Sequence, residues 1–245
     1  MDSQKSDYVV LVKFPTRGRP EKFFTVLNRY YHGAKQKHLT KFLVTCDLDD
    51  PTMNNETVVA KLKTYNNLQF RFGTSRTKIE AVNADMDLAG DYDILLLASD
   101  DMVPEVKGYD QLIRERMADL YPDTDGVLWF FDGYRRDFNT LCILGKKYYD
   151  RFGYIYHPSY KSFWCDNEFT DVARGLGLQT FTDQVVIRHI HPDWIQRDPG
   201  ARAAFSAVHP TSRDIGIDAT FMKNLPHEGV DAANYRARKA AGFLP

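Results

Sequence analysis

The sequence predicts an α/β fold, a mostly parallel sheet flanked by helices, and three observations carry that prediction. Short apolar and β-branched runs alternate with amphipathic stretches through the first hundred residues. Those runs stop abruptly at polar clusters, as buried strands do where they leave a covered sheet. No low-complexity linker, repeat or sharp composition shift interrupts the chain. Residues 1–245 therefore read as a single domain, with residues 193–245 as a C-terminal lid or tail.

The elements follow in order. Residues 8–14 (YVVLVKF) form a first strand, ended by Pro15 and the turn PTRGRP, and residues 21–31 form a helix. Residues 41–46 (KFLVTC) are a second strand, closed by Asp47, Asp49 and Asp50. A helix over 56–65 and a strand over 68–72 come next. Residues 77–88 place Ile79, Val82 and Met86 near helical spacing, ahead of the apolar strand 94–98. This βαβαβαβ order is that of a parallel sheet with helices on both faces. Beyond Asp101 the rhythm changes. A helix is expected over 106–120, strands over 126–131 and 140–144, and a helix over 146–152. An aromatic loop over 155–164 precedes a helix at 167–176 and a strand at 184–189. Residues 194–226 show little periodicity, and 231–241 read as helical. A long irregular segment beside a site reads as a lid.

Net charge is −1, so no global basic field recruits nucleic acid. No apolar run approaches a membrane span, and the polar N-terminus, residues 1–7, lacks the apolar centre of a signal peptide. Cys46, Cys142 and Cys165 have no metal-binding spacing and are odd in number. Reduced thiols and a cytoplasmic location are the expectation.

In a parallel sheet the C-terminal strand ends share one edge, so polar clusters far apart in sequence converge there. The most informative is Ser99-Asp100-Asp101, which ends the apolar run 94–98. Two carboxylates at a sheet edge suit a hard divalent cation with open positions for a substrate's phosphates, and equally an acidic turn or helix cap. Pro15, Thr16, Arg17, Gly18 and Arg19 combine backbone donors with two guanidinium groups, a set suited to a diphosphate. Asp47 can accept from a ribose or a base N–H. Gly73 to Lys78 (GTSRTK) lacks phosphate-loop spacing but offers hydroxyls and Lys78 to phosphates; Ser75 or Thr77 also suits a helix cap. His189 and His191 share one face of the last strand, and imidazole beside carboxylate shifts preference from magnesium toward manganese. Asp166, next to Trp164 and Cys165, is a candidate general base, or else Asp166 or Asn167 caps the following helix.

Together these segments resemble the GT-A glycosyltransferases, those like family 2, from about Val9 to Trp194. The resemblance implies a GT-A, nucleotide-diphospho-sugar transferase fold: a Rossmann-like mixed sheet. Pro15, Thr16 and Arg17 match the family's first turn, Asp47 the aspartate that holds the nucleotide, and Lys78 a lysine near its phosphates. Ser99-Asp100-Asp101 stands where the family has its DxD-type motif, with serine at the first position. Asp101 would bind the metal and Asp100 the ribose or donor sugar. Cys165-Asp166-Asn167-Glu168 matches the acceptor-side motif, with cysteine in place of its glutamate; Asp166 keeps the base position and Glu168 is the reserve. His189 matches the late histidine of the metal shell, with His191 close behind.

The implied reaction moves a sugar from a nucleotide-diphosphate donor, UDP-sugar favoured, to an acceptor hydroxyl. Mn2+ or Mg2+ is the implied cofactor, Arg17, Arg19 and Lys78 add positive charge, and attack from the opposite face inverts the anomeric centre. Two rivals are a nucleotidyltransferase, which would carry a richer glycine signature after the first strand, and a non-catalytic sugar-nucleotide or glycan-binding module. The acceptor is a glycan or other hydroxyl-bearing molecule. Trp129, Phe130, Phe131, Tyr154, Tyr156, Tyr160, Phe163 and Trp164 are mostly core but include stacking candidates. The pairs Arg135-Arg136 and Lys146-Lys147 admit DNA, through a hydroxylated base, as a less favoured acceptor.

Overall fold

The computed structural model describes residues 7–211 and 217–243. The polar N-terminal residues 1–6, and residues 212–216 and 244–245 of the expected tail, lie outside the described residues.

Four strands, β1 (Val10–Thr16), β2 (Thr40–Asp47), β3 (Leu68–Gly73) and β4 (Ile94–Leu97), run parallel, linked through helices α1 (Pro20–Gly33), α2 (Glu56–Leu62) and α3 (Lys78–Asn83). Val10 sits opposite Thr40 on one side and Ile94 on the other, so β1 is central and all four strands end along one edge. The chain continues through β5 (Met102–Pro104), α4 (Tyr109–Leu120), β6 (Val127–Phe130), β7 (Ile143–Gly145), α5 (Lys146–Phe152), α6 (Cys165–Gly175), β8 (Gln179–Thr182) and β9 (Ile187–His189). The main sheet has seven strands in the order β3-β2-β1-β4-β7-β6-β8, with β7 antiparallel to both neighbours.

Both faces of the central strands β1, β2, β4, β6 and β7 are covered, which is why they read as apolar runs. Val10, Val12 and Phe14 pack toward α1, α2 and α4; Leu11, Leu43, Leu95 and Leu97 pack toward α3, α5 and α6. Cys46, Cys142 and Cys165 are buried within these layers. No helix among the described residues is long and apolar enough to cross a membrane.

Three expectations need correction. The strand expected over 184–189 is only Ile187–His189, and it leaves the main sheet to pair antiparallel with β5. The strand that extends the sheet beside β6 is the polar Gln179–Thr182 instead, which has no apolar run to reveal it. Finally, the aperiodic stretch after residue 191 is largely helical: α7 (Pro192–Arg197), α8 (Pro199–Val208) and α9 (Ala219–Asn224), followed by α10 (Glu228–Ala240). Pro192 and Pro199 open two of these helices, while the Asp198 and Asp218 side chains cap α8 and α9. Helices this short are set by their ends, not by an apolar stripe.

Candidate active site

The turn after β1 wraps around the ends of β2 and α9. Arg17 donates to Asp47 at 2.7 Å and to Asp49 at 2.5 Å. Gly18 has φ +73°, a left-handed conformation that suits glycine, and its amide donates to Asp50 at 2.7 Å. A Cβ at that position would stand 2.6 Å from the Thr220 hydroxyl, so α9 lies directly on the turn. Arg19 reaches Asp100 at 3.0 Å and grips Asp218 through Nε and Nη2 at 2.5 and 2.6 Å. Pro15 stands opposite Thr45 and Thr16 opposite Cys46 in β2. Beside them, Thr16 Oγ1 and Asp47 Oδ1 are buried without a hydrogen-bond partner. Such orphaned polar atoms are rare, and a ligand's donors or acceptors would satisfy them.

The β5–β9 pair assembles the second half of the site. The Ile190 amide donates to the Asp101 carbonyl at 2.7 Å, and Met102 faces His189 across the ladder. This brings His189 Nε2 to 3.5 Å from Asp101 Oδ2, while Ser99 Oγ donates to the other Asp101 oxygen. Burial alone would raise the Asp101 carboxyl; His189 and the Ser99 hydroxyl outweigh it and hold it far below the usual carboxylate range. At Asp100 burial prevails, and its pKa is raised despite Arg19.

His191 is within 5.4 Å of His189, ring centroid to centroid, but its Nδ1 caps α7 by accepting the Asp193 amide at 3.3 Å. Burial and the charge of His189 push it down to about 4.

Lys78 opens α3, exposed, one residue beyond the Thr77 side chain that caps the helix. Its charge is felt at Asp166, His189 and His191. Asp166 lies in the first turn of α6, where burial raises its pKa against the opposing charges of Lys78 and His189. It is not the helix cap: that position is Trp164, held at φ +62° with no side-chain cap bond. Glu168 sits in the same turn but is buried, accepting from Tyr160 at 2.7 Å and from two Arg238 nitrogens at 2.8 Å each. That carboxylate ties α10 to α6.

A divalent cation fits Asp101 and His189. Two ligands each about 2.1 Å from a metal at right angles stand about 3 Å apart, close to the 3.5 Å observed. Among the described residues no group of three or more His, Cys, Asp or Glu side chains could hold a metal ion. A cation at this pair would take one carboxylate and one imidazole from the chain, with its other positions left to a substrate or water.

Three further charged residues were missed by sequence reasoning. Asp132, just past β6, is buried with an oxygen 4.0 Å from His189 Nδ1. It obeys the strand-end rule that singled out Asp47 and could have been found by it. Asp218 gave only a helix-cap signal. Lys13, fully buried between Leu43 and Leu97, was concealed inside an apolar run.

The basic pairs on the acceptor side carry carboxylate partners: Arg135 with Asp137, Arg136 with Asp183, Lys146 with Asp150 and Lys147 with Asp123. Of the aromatic candidates, Trp129, Phe130, Tyr156 and Tyr160 are buried, while Phe131, Tyr154, Phe163 and Trp164 are half-buried.

No protein-family model matches the chain, and no curated protein does. Solved structures match across most of its length. The mannosyltransferase PcManGT from Pyrobaculum calidifontis, in complex with GDP-Man and Mn2+, is 16% identical with a TM-score of 0.59, over 97% of this chain and 77% of that one. TarS 1-349 from S. aureus in complex with UDP is 14% identical with a TM-score of 0.59, over 94% of this chain and 71% of that one. Its UDP-GlcNAc complex is 17% identical with a TM-score of 0.56, over 74% and 58%. The chain therefore has a GT-A-like fold.

Proposed function

We propose that this chain is a glycosyltransferase that moves a sugar from a nucleotide-diphosphate donor to an acceptor hydroxyl, with a divalent cation held by Asp101 and His189. The observation that carries the reading is the Asp101–His189 pair at the sheet edge, within electrostatic reach of Asp166 and Lys78. The neighbours' donors, GDP-Man in one and UDP-GlcNAc in the other, support the donor class.

The roles follow from position. Asp47 Oδ1 and Thr16 Oγ1, unpartnered at the β1 and β2 ends, take the nucleoside. Lys78, and Arg17 and Arg19 on the opposite side of the edge, lie toward the diphosphate, with Asp100 beside the ribose or donor sugar. Manganese or magnesium would neutralise charge gathering on the departing diphosphate. Asp166 accepts the proton of the attacking hydroxyl; its raised pKa suits a group that must hold that proton. Attack from the face opposite the leaving group inverts the anomeric carbon. The acceptor is read as a glycan or another hydroxyl-bearing molecule.

Calorimetric titration with UDP and with GDP, each with manganese and with EDTA, tests the reading. Manganese-dependent binding of one nucleotide is expected. Binding unchanged by EDTA would overturn the cation site, and binding of neither nucleotide would turn the reading toward a non-catalytic module.

A further inference from the structure

We infer that Asp231 of α10 is a positioning residue for Asp166: it holds the backbone turn at Trp164 from which α6 starts, and so fixes where Asp166 stands. The inference rests on the proposed role of Asp166 as the base.

Trp164 is the residue that needs holding. It precedes α6 at φ +62° and ψ −5°, with no side-chain cap bond, and Asp166 follows two residues on. Left-handed backbone suits glycine or asparagine. For a bulky side chain it is an outlier that persists only where the surroundings fix it, and such outliers gather at functional sites. The Trp164 carbonyl accepts the Glu168 amide at 3.2 Å, the bond that opens the helix, so this turn sets the direction in which α6 begins.

Two restraints on the turn come from α10. Asp231 is fully buried, and its carboxylate takes three consecutive amides of the loop leading into Trp164. Oδ1 accepts from Lys161 at 3.0 Å, and Oδ2 from Ser162 at 2.8 Å and Phe163 at 2.9 Å. Successive N–H groups of this kind form an anion-binding concavity, here filled by a carboxylate of the same chain. One helical turn on, the Tyr235 ring packs on Trp164 with centroids 5.3 Å apart, and its hydroxyl donates to Asp171 of α6 at 2.7 Å. Asp231 thus fixes the backbone before Trp164, and Tyr235 fixes the ring. With Arg238 on Glu168, the last helix of the expected lid is braced against the helix that carries the base.

Three substitutions isolate the effect. Asp231→Ala empties the concavity, which formate is small enough to refill. Asp231→Asn is milder: its amide oxygen keeps Ser162 and Phe163 while its NH2 faces the Lys161 amide. Trp164→Gly removes the conformational penalty, because glycine adopts this backbone freely, so the carboxylate matters less in that background.

The test combines amide exchange at Glu168 with manganese-dependent hydrolysis of UDP-GlcNAc and of GDP-Man. In that hydrolysis water, losing a proton to Asp166, replaces the nucleoside diphosphate on the anomeric carbon. Asp231→Ala should speed Glu168 exchange and lower kcat, each by about 10–100-fold, and leave the donor KM within about twofold. Formate, but not chloride, should restore both. With Trp164→Gly present, the same substitution should lower kcat by less than about threefold. Unchanged Glu168 exchange, a loss carried by KM alone, or an equal loss in both backgrounds would overturn the inference. If Asp231→Ala does not fold, Asp231→Asn must show the same pattern at smaller size, and its absence overturns the inference equally. Wild type that hydrolyses neither donor, or Asp166→Asn that hydrolyses one at the full rate, defeats the reading of Asp166 instead, while Glu168 exchange still decides whether Asp231 holds the turn.

Discussion

The Arg19 guanidinium bridges Asp100 and Asp218, 118 residues apart in the sequence, and so joins the acidic motif to the capping residue of α9. One cation holds both the edge of the candidate site and the helix lying over it. Hydrogen bonds between charged groups contribute about 1.5–3 kcal/mol. Asp218→Ala should therefore raise amide exchange across residues 219–224 by roughly ten- to a hundredfold. The amides of β1 to β4 should stay protected. Unchanged exchange in α9 would show that Thr220 and its neighbours hold the helix without Arg19.

Asp101→Ala removes one of the two protein donors proposed for the cation. Manganese-dependent nucleotide binding should fall by roughly a hundredfold or more. The protein should stay folded with a lowered melting temperature, because the substitution also takes from His189 and Ser99 the carboxylate they stabilise. Donor affinity equal to wild type in calorimetry would refute the assignment.

The two carboxylates of α6 should separate cleanly. Asp166→Asn should leave donor binding intact and lower transfer by roughly 10²–10⁴-fold, the usual contribution of a general base. Near-normal transfer would remove Asp166 from that role.

Glu168→Ala should instead lower stability by about 3–5 kcal/mol, because it strands Arg238 beside a buried site. Denaturant midpoints measure this directly. A stable Glu168→Ala protein with lost transfer would return the base to Glu168.

How far the sequence could be read follows from the reach of each interaction. Strands β1, β2 and β4 were legible because both faces are covered, so their residues are mostly apolar and the carboxylates after β2 and β4 stand out. The edge strand β3 instead alternates Leu68, Phe70 and Phe72 with Gln69 and Arg71. Asp101 stood out for the same reason as its strand, whereas His189 was singled out as the end of a strand expected over 184–189 that lies outside the main sheet. Strand β5 was not legible, since three residues leave no pattern to detect, and β9 was read three residues too long and in the wrong sheet. Glu168 was read as a reserve base because its partner Arg238 lies 70 residues away. Asp132 was passed over because its meaning comes from His189, which only the β5–β9 pairing brings near.

Lys13 shows the same concealment and leads to a pH prediction. Its amine is enclosed in β1, donates to Thr45, and is pushed by burial from 10.5 down to about 8, with Asp85 partly offsetting the shift. Between about pH 8 and 10.5 the unfolded chain holds a proton that the folded protein has released, so stability rises with pH across that window. Below it both states are charged, and the full cost of about 3 kcal/mol applies. Lys13→Met should thus be about 1–3 kcal/mol more stable at neutral pH, less than the full cost because the Thr45 hydrogen bond is lost. The advantage should shrink as pH rises through the window. Urea denaturation of both proteins across that range isolates the effect, since every other titrating group is shared. Parallel stability curves would mean that the buried amine stays charged in the folded protein, with Asp85 compensating it fully.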